Sequence, residues 1–229
     1  MRTGAVIVAA GSGERLGADV PKALVPVAGL PMVTWSARAL EESPDVTAIV
    51  ITCPPGMDDD MEDAVGGHAR VHAIVPGGAT RQRSVAAGLA ALPDDIEAIL
   101  VHDAARPLLS PGLVSLLVSR LAAADAVIAA SPVPDTLKRS DGQGHITATV
   151  DRAGLWGAQT PQVFRAHALR EVFAAADDAE LDSSTDCAGM AERHGIAVMM
   201  IDPGVPNPKV TTQADLRLVE VLLGAGRIA

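Results

Sequence analysis

The residues with the clearest chemical potential lie near the N-terminus. Ala9-Ala10-Gly11-Ser12-Gly13-Glu14-Arg15-Leu16-Gly17 form a glycine loop at the end of an apolar stretch, Ala5–Ala10, and Pro21-Lys22 follow. Glycine admits positive φ and lets main-chain N–H groups approach a ligand closely, which is what a phosphate cradle needs. Arg15 and Lys22 stand seven residues apart, where both can meet the charge of a bulky anion. A dinucleotide-binding G-x-G-x-x-G would need glycine where Leu16 stands, and a P-loop would need glycine where Pro21 stands. Two readings remain: a phosphate-binding turn of another kind, or an ordinary glycine-rich β–α turn beside two solvated cations.

Further motifs bear on that choice. Pro76-Gly77-Gly78-Ala79-Thr80-Arg81-Gln82-Arg83-Ser84-Val85 is a second glycine turn that opens a helix. Free N–H groups at such a helix start can read a base edge or hold an anion, and a plain capped helix with Ala79 or Thr80 near its cap is the alternative. In His102-Asp103-Ala104-Ala105-Arg106-Pro107 a carboxylate sits at a strand end beside small residues. That suits Mg²⁺, which favours one or two carboxylates plus phosphate oxygens and water, so Asp103 is the candidate metal ligand. An Asp103–Arg106 ion pair bracing the loop is the competing expectation, and the two can coexist. His102 is expected to be structural.

Arg152, in Val150-Asp151-Arg152, and Lys209, in Asn207-Pro208-Lys209-Val210-Thr211, acquire meaning only if a second phosphate-bearing substrate must be held. Asp182-Ser183-Ser184-Thr185-Asp186 reads first as a helix cap, with Thr185 as a further hydroxyl that could reach a phosphate. No serine or cysteine has a convincing histidine partner, and no G-x-S-x-G elbow is present.

These motifs need a frame. Strand-like runs at Ala5–Ala10, Ala48–Thr52, Val71–Val75, Ala98–Val101, Ala126–Ala130 and Ala197–Ile201 are separated by helical patterns. Those fall near Met32–Glu41, Arg81–Leu92, Pro111–Ala123, Ala166–Ala176 and Thr185–His194, and Gln213–Leu223 closes the chain. The rhythm predicts an α/β fold with a doubly wound, mostly parallel sheet, in which ligands bind beyond the carboxyl ends of the strands. The glycine loop and the Asp103 loop both follow strands, so they are expected on one rim. From about 134 to 156 the pattern becomes short and polar, with Asp141-Gly142-Gln143-Gly144 as a turn. This predicts a β-hairpin, and because an isolated hairpin is marginal in water, a second subunit is its expected support. Residues 1–229 are expected to form one domain with the hairpin inserted in it.

Composition narrows the partners. Of the 229 residues 48% are hydrophobic but only 2% aromatic, so the core must be built from Val, Ile, Leu and Ala. A net charge of −10 argues against nucleic acid or an anionic membrane, and no apolar run approaches the ~20 residues of a membrane span. A nucleoside triphosphate would be repelled overall, so its charge must be met locally by a few basic groups and a divalent cation. Cys53 and Cys187 offer neither a disulfide framework nor metal spacing, which makes the reducing cytoplasm the expected location.

G-x-G-x-R-x-G followed by P-K resembles the signature of nucleotidyltransferases acting on sugar or polyol phosphates. Several longer elements are more specific: P-G-G-x-x-R-Q-x-S-V, V-H-D-A-A-R-P, P-D-T-x-K-R, V-D-R-x-G-L-W-x-x-Q-T-P-Q and N-x-K-V-T. Together they resemble the family of 2-C-methyl-D-erythritol 4-phosphate cytidylyltransferases, the CTP-dependent enzymes of the non-mevalonate isoprenoid route, over nearly the whole chain. The resemblance implies that Arg15 and Lys22 stabilise the transition state at the α-phosphorus. It implies a nucleotide site formed by Ala10, Gly11, Gly13, Gly78, Ala79, Ser84 and Asp103, with Asp103 holding Mg²⁺. Arg106, Thr136, Arg152, Thr160, Thr185 and Lys209 would surround methylerythritol phosphate, with Arg152 and Lys209 on its phosphate. The hairpin would be a homodimerisation arm that places Thr136 and Arg152 in the partner's site. Val205-Pro206 stand where the family often has an aspartate. A transferase for another acceptor, such as ribitol phosphate, and a non-catalytic nucleotide sensor are the rival readings.

Overall fold

The computed structural model describes residues 1–11, 13, 16–17 and 20–225. The chain opens with β1 (Thr3–Val8), and a single 3-10 turn at Lys22–Leu24 leads into a short ribbon of β2 (Pro26–Val27) and β3 (Leu30–Pro31). There follow α1 (Met32–Glu42), β4 (Val46–Cys53), α2 (Asp58–Val65), β5 (Val71–Pro76), α3 (Arg81–Ala90) and β6 (Ala98–Asp103). Next come α4 (Pro111–Arg120), β7 (Ala126–Pro132), and the hairpin strands β8 (Leu137–Ser140) and β9 (Ile146–Val150). The chain ends through β10 (Trp156–Arg165), α5 (Ala166–Ala175), α6 (Asp178–Ser183), α7 (Cys187–Arg193), β11 (Val198–Ile201) and α8 (Gln213–Gly224).

Seven strands form one sheet in the order β5-β4-β1-β6-β10-β7-β11. The pairs β5/β4, β4/β1, β1/β6 and β7/β11 are parallel, while β10 runs antiparallel to both β6 and β7. Side chains alternate across the sheet, so each strand feeds two cores. Ala5 and Ile7 of β1 join Val33, Leu40, Met61 and Leu117 on one face, and Val6 joins Val85, Leu89, Phe164 and Leu169 on the other. Long apolar strands buried on both faces are the mark of a helix-covered, largely parallel sheet. A third, smaller cluster of Leu16, Val25, Val27, Met32, Leu108, Val210 and Val219 ties the exit of the glycine loop to α8.

The predicted frame therefore stands, with adjustments. β1 closes at Val8, two residues before the expected end, which frees Ala9 and Ala10 for the loop. The strand β10 lies outside the predicted pattern because WGAQTPQVFR is polar and contains Pro161. Its Thr160 and Gln162 are nonetheless buried, at 4% and 1% exposure, because the strand is central in the sheet. The helices α2 and α6 are also additions; both begin with acidic residues, which suit the positive end of a helix dipole.

The hairpin lies where the polar segment predicts it. Leu137 pairs with Val150 and Lys138 with Thr149, and the turn between them contains Gly142 and Gly144 at positive φ. From Pro134 to Ala158 nearly every residue is exposed, including Ile146, Leu155 and Trp156, so this arm has almost no packing on its own chain.

Close helix–sheet packing has a single-residue test. A Cβ at Gly88 of α3 would lie 2.5 Å from Val6 Cγ1 and 3.2 Å from Thr52 Cγ2. Valine at β1 is branched and fixed, so it cannot swing aside. Gly88→Val is expected to lower the unfolding free energy by roughly 1–3 kcal/mol, read as a reduced denaturant midpoint at unchanged slope. A midpoint equal to that of the parent protein would show that α3 sits further from the sheet.

Candidate active site

At the carboxyl ends of β1, β5 and β6 lies a cleft of about 690 Å³. Its walls are the glycine loop (Ala9, Ala10, Gly11, Gly13), the second glycine turn with the start of α3 (Gly78 to Arg81, with Ser84), the Asp103–Ala105 loop, and Lys22, Lys209 and Thr211. The two motifs expected on one rim thus face each other across one cavity. Beside it, a second and more open cleft of about 440 Å³ is lined by Arg106, Ser131, Gln159, Asn207 and neighbours, and Lys209 borders both.

Local geometry explains the glycines. Gly13 has φ +75°, and a Cβ there would lie 2.7 Å from Lys22 Cβ, so glycine lets the loop fold against the lysine. Lys22 enters the cleft from the first residue of its 3-10 turn. At Gly77 a Cβ would fall 2.4 Å from the Ala10 Cβ, so a side chain there would force the two loops apart. Thr80 caps α3, its hydroxyl oxygen accepting from Arg83 N–H. The Ser84 hydroxyl oxygen accepts from Gly78 N–H at 3.1 Å and donates to Thr80 C=O at 3.0 Å, which fixes the glycine turn. Gly78 and Ala79 keep an exposed backbone along the cleft.

Asp103 closes β6 with its side chain 10% exposed. Arg81 Nε and Nη2 approach its Oδ1 at 3.0 and 2.9 Å, and Lys209 Nζ lies 2.6 Å from Oδ2. Burial pushes the carboxyl upward, but the Arg81 guanidinium and then the Lys209 ammonium outweigh it and hold Asp103 well below the usual carboxylate range. The bracing pair expected between Asp103 and Arg106 does not form. Arg106 turns away and donates from Nη1 to the Asn207 carbonyl at 2.6 Å. The residue is 9% exposed, its Nε has no hydrogen-bond partner among the described residues, and burial lowers its pKa. A buried cation with an unpartnered N–H has the capacity to bind an anion.

His102 is structural, as expected, and its role is specific. Burial lowers its pKa to about 4, so the ring is neutral near pH 7. Its Nε2–H donates to Arg106 C=O at 3.1 Å, leaving Nδ1 to accept from the Thr160 hydroxyl at 3.2 Å. The Thr160 oxygen in turn accepts from Asp103 N–H at 3.0 Å. Thr160 therefore sits beneath the site as a bridge between the Asp103 loop and β10. The segment carrying Lys209 is anchored from below as well: Asn207 Nδ2 donates to Thr160 C=O and Gln159 Oε1, and Val210 N–H donates to Ala105 C=O.

The remaining predicted residues divide. Ala10, Gly11, Gly13, Gly78, Ala79, Ser84, Asp103, Lys22 and Lys209 line the main cleft, and Arg106 with Lys209 lines its neighbour. Thr185 is exposed just before α7 and lines neither. Thr136 and Arg152 belong to the exposed arm, where Arg152 Nη1 donates to Pro134 C=O, and neither borders either of these two clefts. Arg15 lies outside the described residues. Among those described, no group of three or more His, Cys, Asp or Glu is disposed around a metal. Asp103 can supply a single carboxylate, so a hard divalent ion would take its other ligands from phosphate and water.

Arg81 had no assigned part in the sequence reading, although it stands in the second glycine motif. A signal was present: an arginine in the first turn of a helix opposes the helix dipole and so calls for a carboxylate. Nothing local indicated that the carboxylate would be Asp103, 22 residues away.

The comparisons with known proteins agree with this geometry. The family model "IspD: 2-C-methyl-D-erythritol 4-phosphate cytidylyltransferase" matches residues 3–225. A protein of that name from Synechococcus sp. (strain CC9902) is 43% identical over 223 residues, covering 96% of this chain and 97% of its own. One from Frankia casuarinae is 42% identical, covering 97% of this chain and 81% of its own. The crystal structure of 2-C-methyl-D-erythritol 4-phosphate cytidylyltransferase from Thermus thermophilus superimposes with a TM-score of 0.77 at 31% identity, covering 95% of this chain and 97% of that one. Cleft, motifs and full-length similarity converge: the chain belongs to the 2-C-methyl-D-erythritol 4-phosphate cytidylyltransferase family.

Proposed function

We infer that the protein transfers a cytidylyl group from CTP to 2-C-methyl-D-erythritol 4-phosphate, giving 4-diphosphocytidyl-2-C-methyl-D-erythritol and pyrophosphate. One observation carries the reading: a cleft walled by two glycine turns, Lys22 and Asp103 abuts a second cleft that holds the buried, anion-seeking Arg106, with Lys209 between them. Two phosphate-bearing substrates can thus meet at one lysine.

The chemistry follows from that placement. An acceptor phosphate oxygen attacks the α-phosphorus of CTP, a P–O bond forms, and the bond to the β-phosphate oxygen breaks as pyrophosphate leaves. The attacking phosphate is already anionic at neutral pH, so the site needs no strong general base. Positioning and charge neutralisation do the work, as in phosphoryl transfer generally. Lys22 and Arg15 are assigned to the charge that builds on the α-phosphate. The turn at Gly78, Ala79 and Ser84, with Ala10 and Gly11, is assigned to the base. Asp103 would hold a divalent cation, Mg²⁺ being the natural choice, which would supply positive charge to offset that of the phosphates. Arg106 and Lys209 are assigned to the acceptor, with Thr185 at its margin and Thr160 acting through the loop that it braces.

The arm completes the reading. It presents Thr136 and Arg152 away from its own clefts and exposes Ile146, Leu155 and Trp156. A second copy of the chain would cover those apolar groups and receive Thr136 and Arg152 at its acceptor cleft. The two buried free cysteines, Cys53 and Cys187, fit a reducing cytoplasm. None of the described helices is long and apolar enough to cross a membrane.

Pyrophosphate release with methylerythritol phosphate should be supported by CTP well above UTP or ATP, and Lys22→Ala should lower kcat by on the order of 10²–10³. No release with CTP, or full turnover by the variant, contradicts the assignment. Mixing Lys22→Ala with Arg152→Ala protein provides a second check. Each alone should be impaired, whereas exchanged dimers regain one intact site composed of one protomer's Lys22 and its partner's Arg152. Mixtures no more active than the separate variants would place both residues in the same protomer's site.

A further inference from the structure

Asp103 carries two cations that differ in freedom. Arg81 is held from behind: its Nη1 donates to the buried Gln82 Oε1 at 3.1 Å and reaches the buried Cys187 Sγ at 3.7 Å, while Nε and Nη2 engage Oδ1. Its side chain is 19% exposed. Lys209 is different. Its backbone is pinned, but its side chain is 41% exposed, its ammonium touches only Oδ2 among the described groups, and it borders both clefts. A lysine ammonium is a compact, strongly hydrated charge on a flexible stem, so leaving a carboxylate for a wet cleft costs it little; a guanidinium bonded through both Nε and Nη1 has no such freedom.

We propose that Arg81 is the fixed counter-ion that orients Asp103, whereas Lys209 is a placeholder that occupies at Oδ2 the position a divalent cation takes when the nucleotide binds. This rests on the reaction inferred above. Oδ2 is the oxygen not engaged by the anchored arginine, so it is the one that can be vacated. Displaced from Oδ2, the ammonium has the Arg106 cleft within its arc, where an acceptor phosphate supplies a new anion. Loading of the metal–nucleotide would thereby release the cation that the second substrate needs, and coupling between the two sites requires no movement of backbone. Arg81 acts through Asp103 as a positioning residue and touches neither substrate.

The exchange makes a prediction opposite to that of a lysine which merely adds binding groups. Mn²⁺ binding to nucleotide-free protein, followed by electron paramagnetic resonance, should tighten about fivefold or more in Lys209→Ala, because the competing cation is gone. The gain should vanish when Asp103→Asn is added. Arg81→Lys keeps the charge but loses the fork, and it should weaken Mn²⁺ binding severalfold. Unchanged or weaker binding in Lys209→Ala overturns the placeholder, and unchanged binding in Arg81→Lys overturns the positioning role. If Arg81→Lys fails to fold, its role is tested instead by Arg81→Gln in the same titration, and Lys209→Ala, an exposed change, decides the exchange alone. Pyrophosphate release by the parent protein separates the two levels. Its absence counts against the transfer reaction, whereas normal release with equal Mn²⁺ affinities counts against the exchange only.

Discussion

A carboxylate held ionised at the end of β6 is the constraint around which the site is arranged. Asp103 is nearly removed from water, and burial of an unpaired carboxylate is costly enough that the group would otherwise neutralise. Arg81 from α3 and Lys209 from the segment before α8 prevent that. Three parts of the chain distant in sequence thus converge on two oxygen atoms. The strand supplies rigidity, the helix start supplies a fixed cation, and the C-terminal segment supplies a mobile one.

The surrounding fold keeps that convergence in place through His102 and Thr160, which line neither cleft, and Asn207, which borders the second one. Neutral His102, the Thr160 hydroxyl and Asn207 link the Asp103 loop, β10 and the Lys209 segment by hydrogen bonds lying beneath the cavity. These bonds lie below the cavity floor, while Lys22 and Lys209 line the main cleft and Arg106 lines its neighbour. The antiparallel β10 is central to this. Inserted between β6 and β7, it brings Gln159 and Thr160 under the loop, and its N-terminal end leads directly from the exposed arm. The arm and the site are therefore joined by one strand.

Much of this was legible in the sequence because the signals were local. Apolar runs separated by helical patterns fixed the parallel part of the sheet, and two loops that follow strands had to share a rim. The hairpin announced itself through its alternation and its Gly142 and Gly144 turn. What stayed hidden was non-local. β10 carries Gln159, Thr160, Pro161 and Gln162 in succession, and its central place in the sheet buries Thr160 and Gln162. Arg106 was the nearest cation to Asp103 in sequence, yet the carboxylate pairs with residues 22 positions before it and 106 after it. Proximity along the chain is a poor guide to ion pairing once a helix start and a returning segment reach the same strand end. Thr160 reads as a ligand-facing hydroxyl until its two hydrogen bonds are seen.

The most direct test of the central interaction is the ionisation of Asp103 itself, followed by the ¹³C shift of its side-chain carboxyl as the folded protein is acidified. With two cations on its oxygens, the carboxyl should stay ionised through the range in which ordinary aspartates titrate, and its shift should remain flat while exposed aspartates move. A midpoint near the ordinary value of about 3.9 would contradict the account, since it would mean that Arg81 and Lys209 do not hold the carboxylate.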